Sequence, residues 1–159
     1  MSLGKDVVGL TYRYPDHYIV EREKIREYAV AVKNDDAAFF EEKAAAELGY
    51  EGLIAPLTFI SVFGYKAVAA FFDEAKIATQ DAQIVQVDQE LKFFLPIKVG
   101  DRLYCDVSID SIRTAHGTDI IVTRQIITND AGDVVQETYT TLAGRAGEEG
   151  NKGFSDATA

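Results

Sequence analysis

The chain is poor in the residues that build cross-links and metal centres. Its single cysteine, Cys105, cannot close an internal disulfide, and two isolated histidines, His17 and His116, fall short of any zinc-ligand pattern. Such a chain suits a reducing, cytoplasmic setting. Cations are scarce too: 16 Lys+Arg stand against 26 Asp+Glu, a formal net charge of −10. That balance repels phosphate backbones and argues against nucleic acid as a partner. The opening MSLGKDVVGL lacks the charged region, apolar run and small-residue cleavage site of a secretory signal. The longest apolar stretch is shorter than the roughly 18 residues of a membrane span and carries Lys66 within it, so no membrane association is expected.

What is present fits one globular domain. A length of 159 residues with 47% hydrophobic content suffices for a single core, drawn here over residues 1–146. The remainder, GEEGNKGFSDATA (147–159), is small, polar and Gly-rich, and is expected to be a flexible tail. Between Glu21 and Lys33, the apolar residues Ile25, Tyr28, Ala29 and Val32 recur at helical spacing, the pattern of a surface helix. Glu42–Leu48, followed by Gly49, reads as a short second helix. From Pro56 to about Phe72 the chain is apolar nearly all round, with Pro56 placed at the first helical position and Asp73–Glu74 closing the run. This predicts a buried central helix.

Beyond it the period changes from helical to alternating. Val85, Val87, Leu91, Phe93 and Leu95 share one parity, and Leu103, Cys105, Val107 and Ile109 repeat the pattern. Turn signals at Gly100–Asp101, His116–Gly117 and Asn129–Gly132 separate these from Ile120–Ile127 and Val134–Leu142, giving an antiparallel meander. The fold class is α+β, a long antiparallel sheet wrapped round a central apolar helix.

Particular stretches carry a family resemblance. YRYPDHYIV (12–20), EREKIREYAVAVKNDDAAFF, LIAPLTF (53–59), IVQVDQELKFFLPIKVGDRLYCDV and GTDIIVTRQIITND closely resemble the (3R)-hydroxyacyl-ACP dehydratases of mycobacterial type II fatty acid synthesis, over nearly the whole chain. The likeness is greatest to the A-type, substrate-binding subunit. It implies a MaoC-like hot-dog fold, a role in elongating mycolic-acid precursors, a catalytic B-type partner subunit, an acyl carrier protein delivering a long-chain 3-hydroxyacyl or enoyl thioester, and no cofactor. A dimer is expected, with the B-type partner preferred to self and a homodimer open to the chain alone.

R-specific hydratases of this kind use Asp-x-Asn-Pro-x-His just after the first helix, the Asp and His exchanging protons with water and substrate. Laid on that motif, Asn34 falls at the Asp and Phe39 at the His. An amide has no useful basicity and a phenyl ring transfers no proton. A one-residue shift offers Asp35 or Asp36 as acid, but then places Phe40 or Glu41 at the His. No catalytic residue is therefore assigned. The plain alternative is that Asn34, Asp35 and Asp36 are turn residues hydrogen-bonded to local backbone. His17 and His116 lie in turns and read as surface residues, and Cys105 sits on the apolar parity of its strand as a buried thiol.

Without a dyad, the contribution left to the chain is an acyl-chain channel. The candidate lining is Ala55, Pro56, Phe59, Ile60, Ser61, Gly64 and Tyr65, where small residues lie among aromatics and could leave a groove. Gly64 could equally serve close packing of a strand on the helix. Gln86 and Gln89, on opposite parities of their strand, are candidate polar groups near the thioester end or subunit boundary. Two other functions stay open: a self-sufficient hydratase or thioesterase using Asp36 or Glu41, and a stand-alone acyl-thioester binding protein.

Overall fold

A computed structural model describes residues 7–79, 83–146 and 153–156. Helix α1 (Arg22–Ala31) buries Ile25 and Ala29, while Val30 and Val32 stay in solvent. It is capped at its end by Val32, and Lys33 then turns left-handed at φ 56°. Helix α2 (Glu42–Glu47) follows a 3-10 turn at Ala37–Phe39 and ends before Gly49, whose φ of 89° suits a residue without Cβ.

The central element departs from the expected single helix beginning at Pro56. The Pro56 carbonyl accepts from the Phe59 amide in a turn, Phe59–Val62 winds as 3-10, Phe63 sits at φ −121°, and α3 proper runs Gly64–Glu74. The break lets three large side chains, Phe59, Ile60 and Phe63, all reach the core from one short segment, which regular α-winding would spread round the axis. Nor is α3 buried all round. Gly64, Ala67, Phe71 and Phe72 face inward, while Tyr65, Lys66 and Ala69 face outward.

The sheet has six strands in the order β1 (Thr11–Arg13), β5 (Arg102–Ala115), β6 (Thr118–Thr128), β7 (Val134–Arg145) and β4 (Ile84–Phe93), with β2 (Tyr18–Ile19) also pairing β5. All these pairs are antiparallel. Residues directly opposite one another share a face, so the register defines rows across the inner surface. One row is Val107, Gln125, Thr138 and Leu91; the next is Ile109, Thr123, Thr140 and Gln89. Helix α3 packs over β5, and the core lies between them, where Leu103, Cys105, Val107 and Ile109 are at most 1% exposed. The β7–β4 half of the inner face is left to one side of the helix.

The register of β4 corrects the strand's parity. It shifts between Gln86 and Asp88, leaving Val87 as an extra residue. Gln86 pairs with Leu142 and Gln89 with Thr140, so both glutamines lie on the inner face despite their opposite parity, and Val85 turns outward. Val85 and Val87 are therefore exposed, where simple alternation had put them in the core.

The tail drawn from residue 147 departs from expectation where it is described. Phe154–Asp156 forms β8, antiparallel to β3 (Ile77–Thr79), and Phe154 is 1% exposed beneath Phe72. Gly144 makes room for it: a Cβ there would meet the Phe154 ring at 2.5 Å. Residues 147–152 and 157–159 of that tail lie outside the described residues. Among the described residues no helix is long and apolar enough to cross a membrane.

Candidate functional site

The segment that would carry a hydratase dyad is built here as a turn. Asn34 Oδ1 accepts from the Asp36 amide at 3.3 Å, and Asp36 Oδ1 accepts from the Ala38 amide at 3.0 Å, capping the 3-10 turn. Arg26 donates to the Phe40 carbonyl, and Arg22 pairs with Glu42, which lowers the Glu42 carboxyl to about 2 through that hydrogen bond. These contacts fasten the loop to α1. Asn34 is exposed on the surface, whereas Phe39 is buried at 9% exposure. Asp36, the alternative acid, has an oxygen committed to its cap.

Phe39 lines a pocket of about 200 Å³ together with Tyr50, Ile54, Ala55, Pro56, Leu57, Phe93, Leu95 and Gln136. Two of the expected channel residues, Ala55 and Pro56, thus line the smaller pocket beside Phe39. Phe59 is in neither pocket. It is 1% exposed, packed edge-on to Tyr18 and Tyr28, and Tyr28 is itself held by its hydroxyl donating to the Thr58 carbonyl at 2.8 Å. Phe59 is a core residue.

The larger cavity, about 480 Å³, lies between α3 and the β7–β4 half of the sheet. It gathers Ile60, Ser61, Gly64, Tyr65, Gln86 and Gln89 from the sequence-based expectation. The helix side is completed by Val68, Ala69, Phe72 and Asp73, and the sheet side by Ile84, Thr123, Gln125, Thr138, Thr140 and Leu142. Volume and shape are of the order of small-ligand sites, which run roughly 300–1,000 Å³. Gly64 lines the cavity, and its missing side chain lets Gln125 Nε2 donate to its carbonyl at 2.8 Å. An added Cβ would meet that same nitrogen at 2.9 Å.

The sheet-side residues were missed because QETYT reads as a solvent-facing strand. The signal was present one strand earlier, where Thr123 and Gln125 fall on the apolar parity of Ile121 and Ile127. The ladder between β6 and β7 shifts near Thr128, leaving Val135 unpaired and turning Gln136, Thr138 and Thr140 inward.

Electrostatically the cavity is quiet. Asp73 is the one charged side chain among its described lining residues. Cys105, beneath Gln125, is pushed up to about 12 by burial, so it stays a neutral thiol rather than a nucleophile. Both histidines are on the surface, His17 beside Asp16 and His116 at φ 50° in the β5–β6 hairpin with Gly117. Among the described residues no group of His, Cys, Asp and Glu could hold a metal ion.

Comparison with known proteins places this geometry. Residues 6–138 match the family model described as "FAS1-like, dehydratase domain region". The chain is 73% identical to UPF0336 protein Rv0635 of Mycobacterium tuberculosis over the full length of both, and 47% identical to UPF0336 protein Rv0637 of the same species, covering 93% of this chain and 89% of that one. Among solved structures, a chain of the C-terminally truncated HadBC (3R-hydroxyacyl-ACP dehydratase) complex from Mycobacterium tuberculosis superposes with a TM-score of 0.81 at 47% identity, over 89% of this chain and 100% of that one. A MaoC-like dehydratase also gives 0.81, at 35% identity over 88% of this chain and 42% of that one. The fold is the hot-dog fold of MaoC-like dehydratases, and the chain belongs to the FAS1-like dehydratase-region family.

Proposed function

We propose that this chain is the non-catalytic, acyl-chain-binding subunit, of A type, in a heterodimeric (3R)-hydroxyacyl-ACP dehydratase of type II fatty acid (mycolic acid) elongation. The observation that carries the proposal is the pairing of a lost dyad with a retained cavity. Asn34 and Phe39 stand where an acid and an imidazole are needed, while about 480 Å³ of space runs beside α3. The likeness to a chain of a two-subunit dehydratase supports the division of labour. That chain and one of the two Mycobacterium tuberculosis UPF0336 proteins are each 47% identical to this one, and the other is 73% identical. A subunit related to, but distinct from, the one in that complex fits these values.

The partner would meet the exposed strand β4. Its outer edge has no hydrogen-bonded neighbour among the described residues, and Val85, Val87 and Phe93, with Phe94 and Leu95 beyond it, are exposed. Gln86 and Gln89 on this strand would then lie at the subunit boundary, where a partner's catalytic pair could reach the thioester. Cytoplasmic residence and delivery by an acyl carrier protein belong to the same proposal.

The test is turnover by purified chain. Alone it should neither hydrate enoyl thioesters nor dehydrate 3-hydroxyacyl thioesters, and activity should arise on adding a partner that holds an intact Asp/His pair. Turnover by the chain alone, unaffected by Asn34→Ala, would place the chemistry on another residue and favour a self-sufficient hydratase.

A further inference from the structure

We infer that the cavity beside α3 takes a segment of the thioester substrate that bears neutral hydrogen-bonding groups, and not plain alkyl chain alone. The inference rests on the substrate-binding reading above and specifies its ligand. Two facing walls of the same cavity differ in chemistry. The helix side offers Ile60, Val68, Ala69 and Phe72 to an aliphatic chain, with the exposed Ser61, Tyr65 and Asp73 among them. The sheet side offers six hydrogen-bonding side chains: Gln86, Gln89, Thr123, Gln125, Thr138 and Thr140.

Four of the six are withdrawn from solvent, while Gln86 and Gln89 on the edge strand are exposed. Thr123 is 0% exposed, Thr138 1% and Gln125 5%. The polarity is not general to the inner sheet. In the rows described above, the β5 members under α3 are Val107 and Ile109, whereas β6 and β7 present Gln125, Thr123, Thr138 and Thr140, of which Gln125 also reaches the α3 backbone at Gly64. Valine would fill each threonine position with the same shape, and desolvated hydroxyls without partners are costly.

Their mutual bonds are loose. Gln89 Nε2 donates to Thr140 Oγ1 at 3.4 Å, Gln136 Nε2 to Thr138 Oγ1 at 3.5 Å, and Thr123 Oγ1 to the Thr140 carbonyl at 3.5 Å, all at the weak end of the hydrogen-bond range. Among the described residues, the hydroxyl protons of Thr138 and Thr140 and the Oε1 atoms of Gln89 and Gln125 have no side-chain or backbone partner. Among the described residues no buried polar side-chain atom is without a partner, so Gln125 Oε1, on a residue only 5% exposed, opens onto the cavity it lines. Donors and acceptors are mixed, and among the described residues no cation lines the cavity, which suits carbonyl, hydroxyl or amide groups and not an anion.

Such groups occur in two parts of an acyl thioester: the amides of the pantetheine arm, or an oxygen function carried on the acyl chain beyond the thioester. The experiment uses the reconstituted heterodimer and compares kcat/KM for four enoyl thioesters of matched chain length. They are pantetheine and N-acetylcysteamine thioesters, the latter lacking the distal amide, each with a plain and a mid-chain keto acyl chain. The same set is measured with Thr138→Val and Thr140→Val, singly and together.

Wild type should favour the keto chain or the longer arm by roughly fivefold to tenfold, the scale of one hydrogen bond, and the valine variants should erase that preference. Loss of the keto preference assigns the wall to the acyl chain; loss of the arm preference assigns it to pantetheine. Equal kcat/KM across all four in wild type, or a preference that the valine variants leave intact, overturns the inference. Ala69→Phe on the helix wall separates this from failure of the binding reading itself. If it lowers the turnover of none of the four thioesters, no substrate segment occupies the cavity.

Discussion

Cys105 shows how burial decides a residue's chemistry. With its thiol in the core under Gln125, ionisation is opposed by desolvation, and its folded value rises from an ordinary 9.0 to about 12. The folded chain therefore holds this proton more tightly than the unfolded chain. The stability this contributes is complete below about pH 9 and is lost as pH rises towards about 12. Cys105→Ala should flatten the fall in folding stability across that window relative to wild type, read from urea melts at a series of pH values. An unchanged slope would show that the thiol is solvated. The burial itself was legible from strand parity. Phe59 was not: its apolar character is equally suited to a channel wall or a core, and only the rings of Tyr18 and Tyr28 against it decide for the core. Asn34 and Phe39 were legible because a proton-transfer motif tolerates so few side chains.

Elements were legible where their period was regular. Helices α1 and α2 and the hairpins β5–β6–β7 fall within a few residues of the expected spans. Two bulges broke the rest. The extra residue at Val87 brings Gln86 and Gln89 to one face, and the one at Val135 turns Gln136, Thr138 and Thr140 inward. A single inserted residue inverts every later position of a strand, and alternation alone carries no mark of it. The start of α3 was likewise hidden, because Pro56 is as compatible with a turn as with a first helical turn. Gly64 now has a defined packing duty against Gln125. Gly64→Leu should destabilise the chain by about 1–3 kcal/mol through overpacking, seen as a lower urea midpoint. A midpoint equal to wild type would mean that Gln125 moves aside without cost.

At the scale of the molecule, the layout that encloses the core also creates the cavity. Because α3 covers β5 and not β4, the sheet's inner face is half core and half wall, and the wall ends at an exposed edge. The exposed Val85 and Val87 on that edge are surface residues of the single chain. Val87→Lys should therefore change the chain's own stability by no more than about 0.5 kcal/mol, while a charge at an apolar edge should weaken pairing with the partner. Sedimentation of the mixed subunits checks this, and undiminished heterodimer would place the interface elsewhere. Sequence alone could indicate that an edge must exist, since any open sheet has two. Which strand forms it depended on β7 returning beside β4, a pairing of distant segments that local pattern does not encode.

That this chain holds the substrate while its partner does the chemistry is tested most directly by Ala69→Phe in the reconstituted heterodimer. Ala69 faces outward from α3 into the cavity, so its enlargement narrows the space without entering the core. With kcat/KM measured across a series of acyl-chain lengths, the ratio of long-chain to short-chain turnover should fall by at least about tenfold, the equivalent of roughly 1.4 kcal/mol of lost transition-state binding. A profile of unchanged shape, lowered equally at every length or not at all, would contradict the assignment of the acyl chain to this subunit.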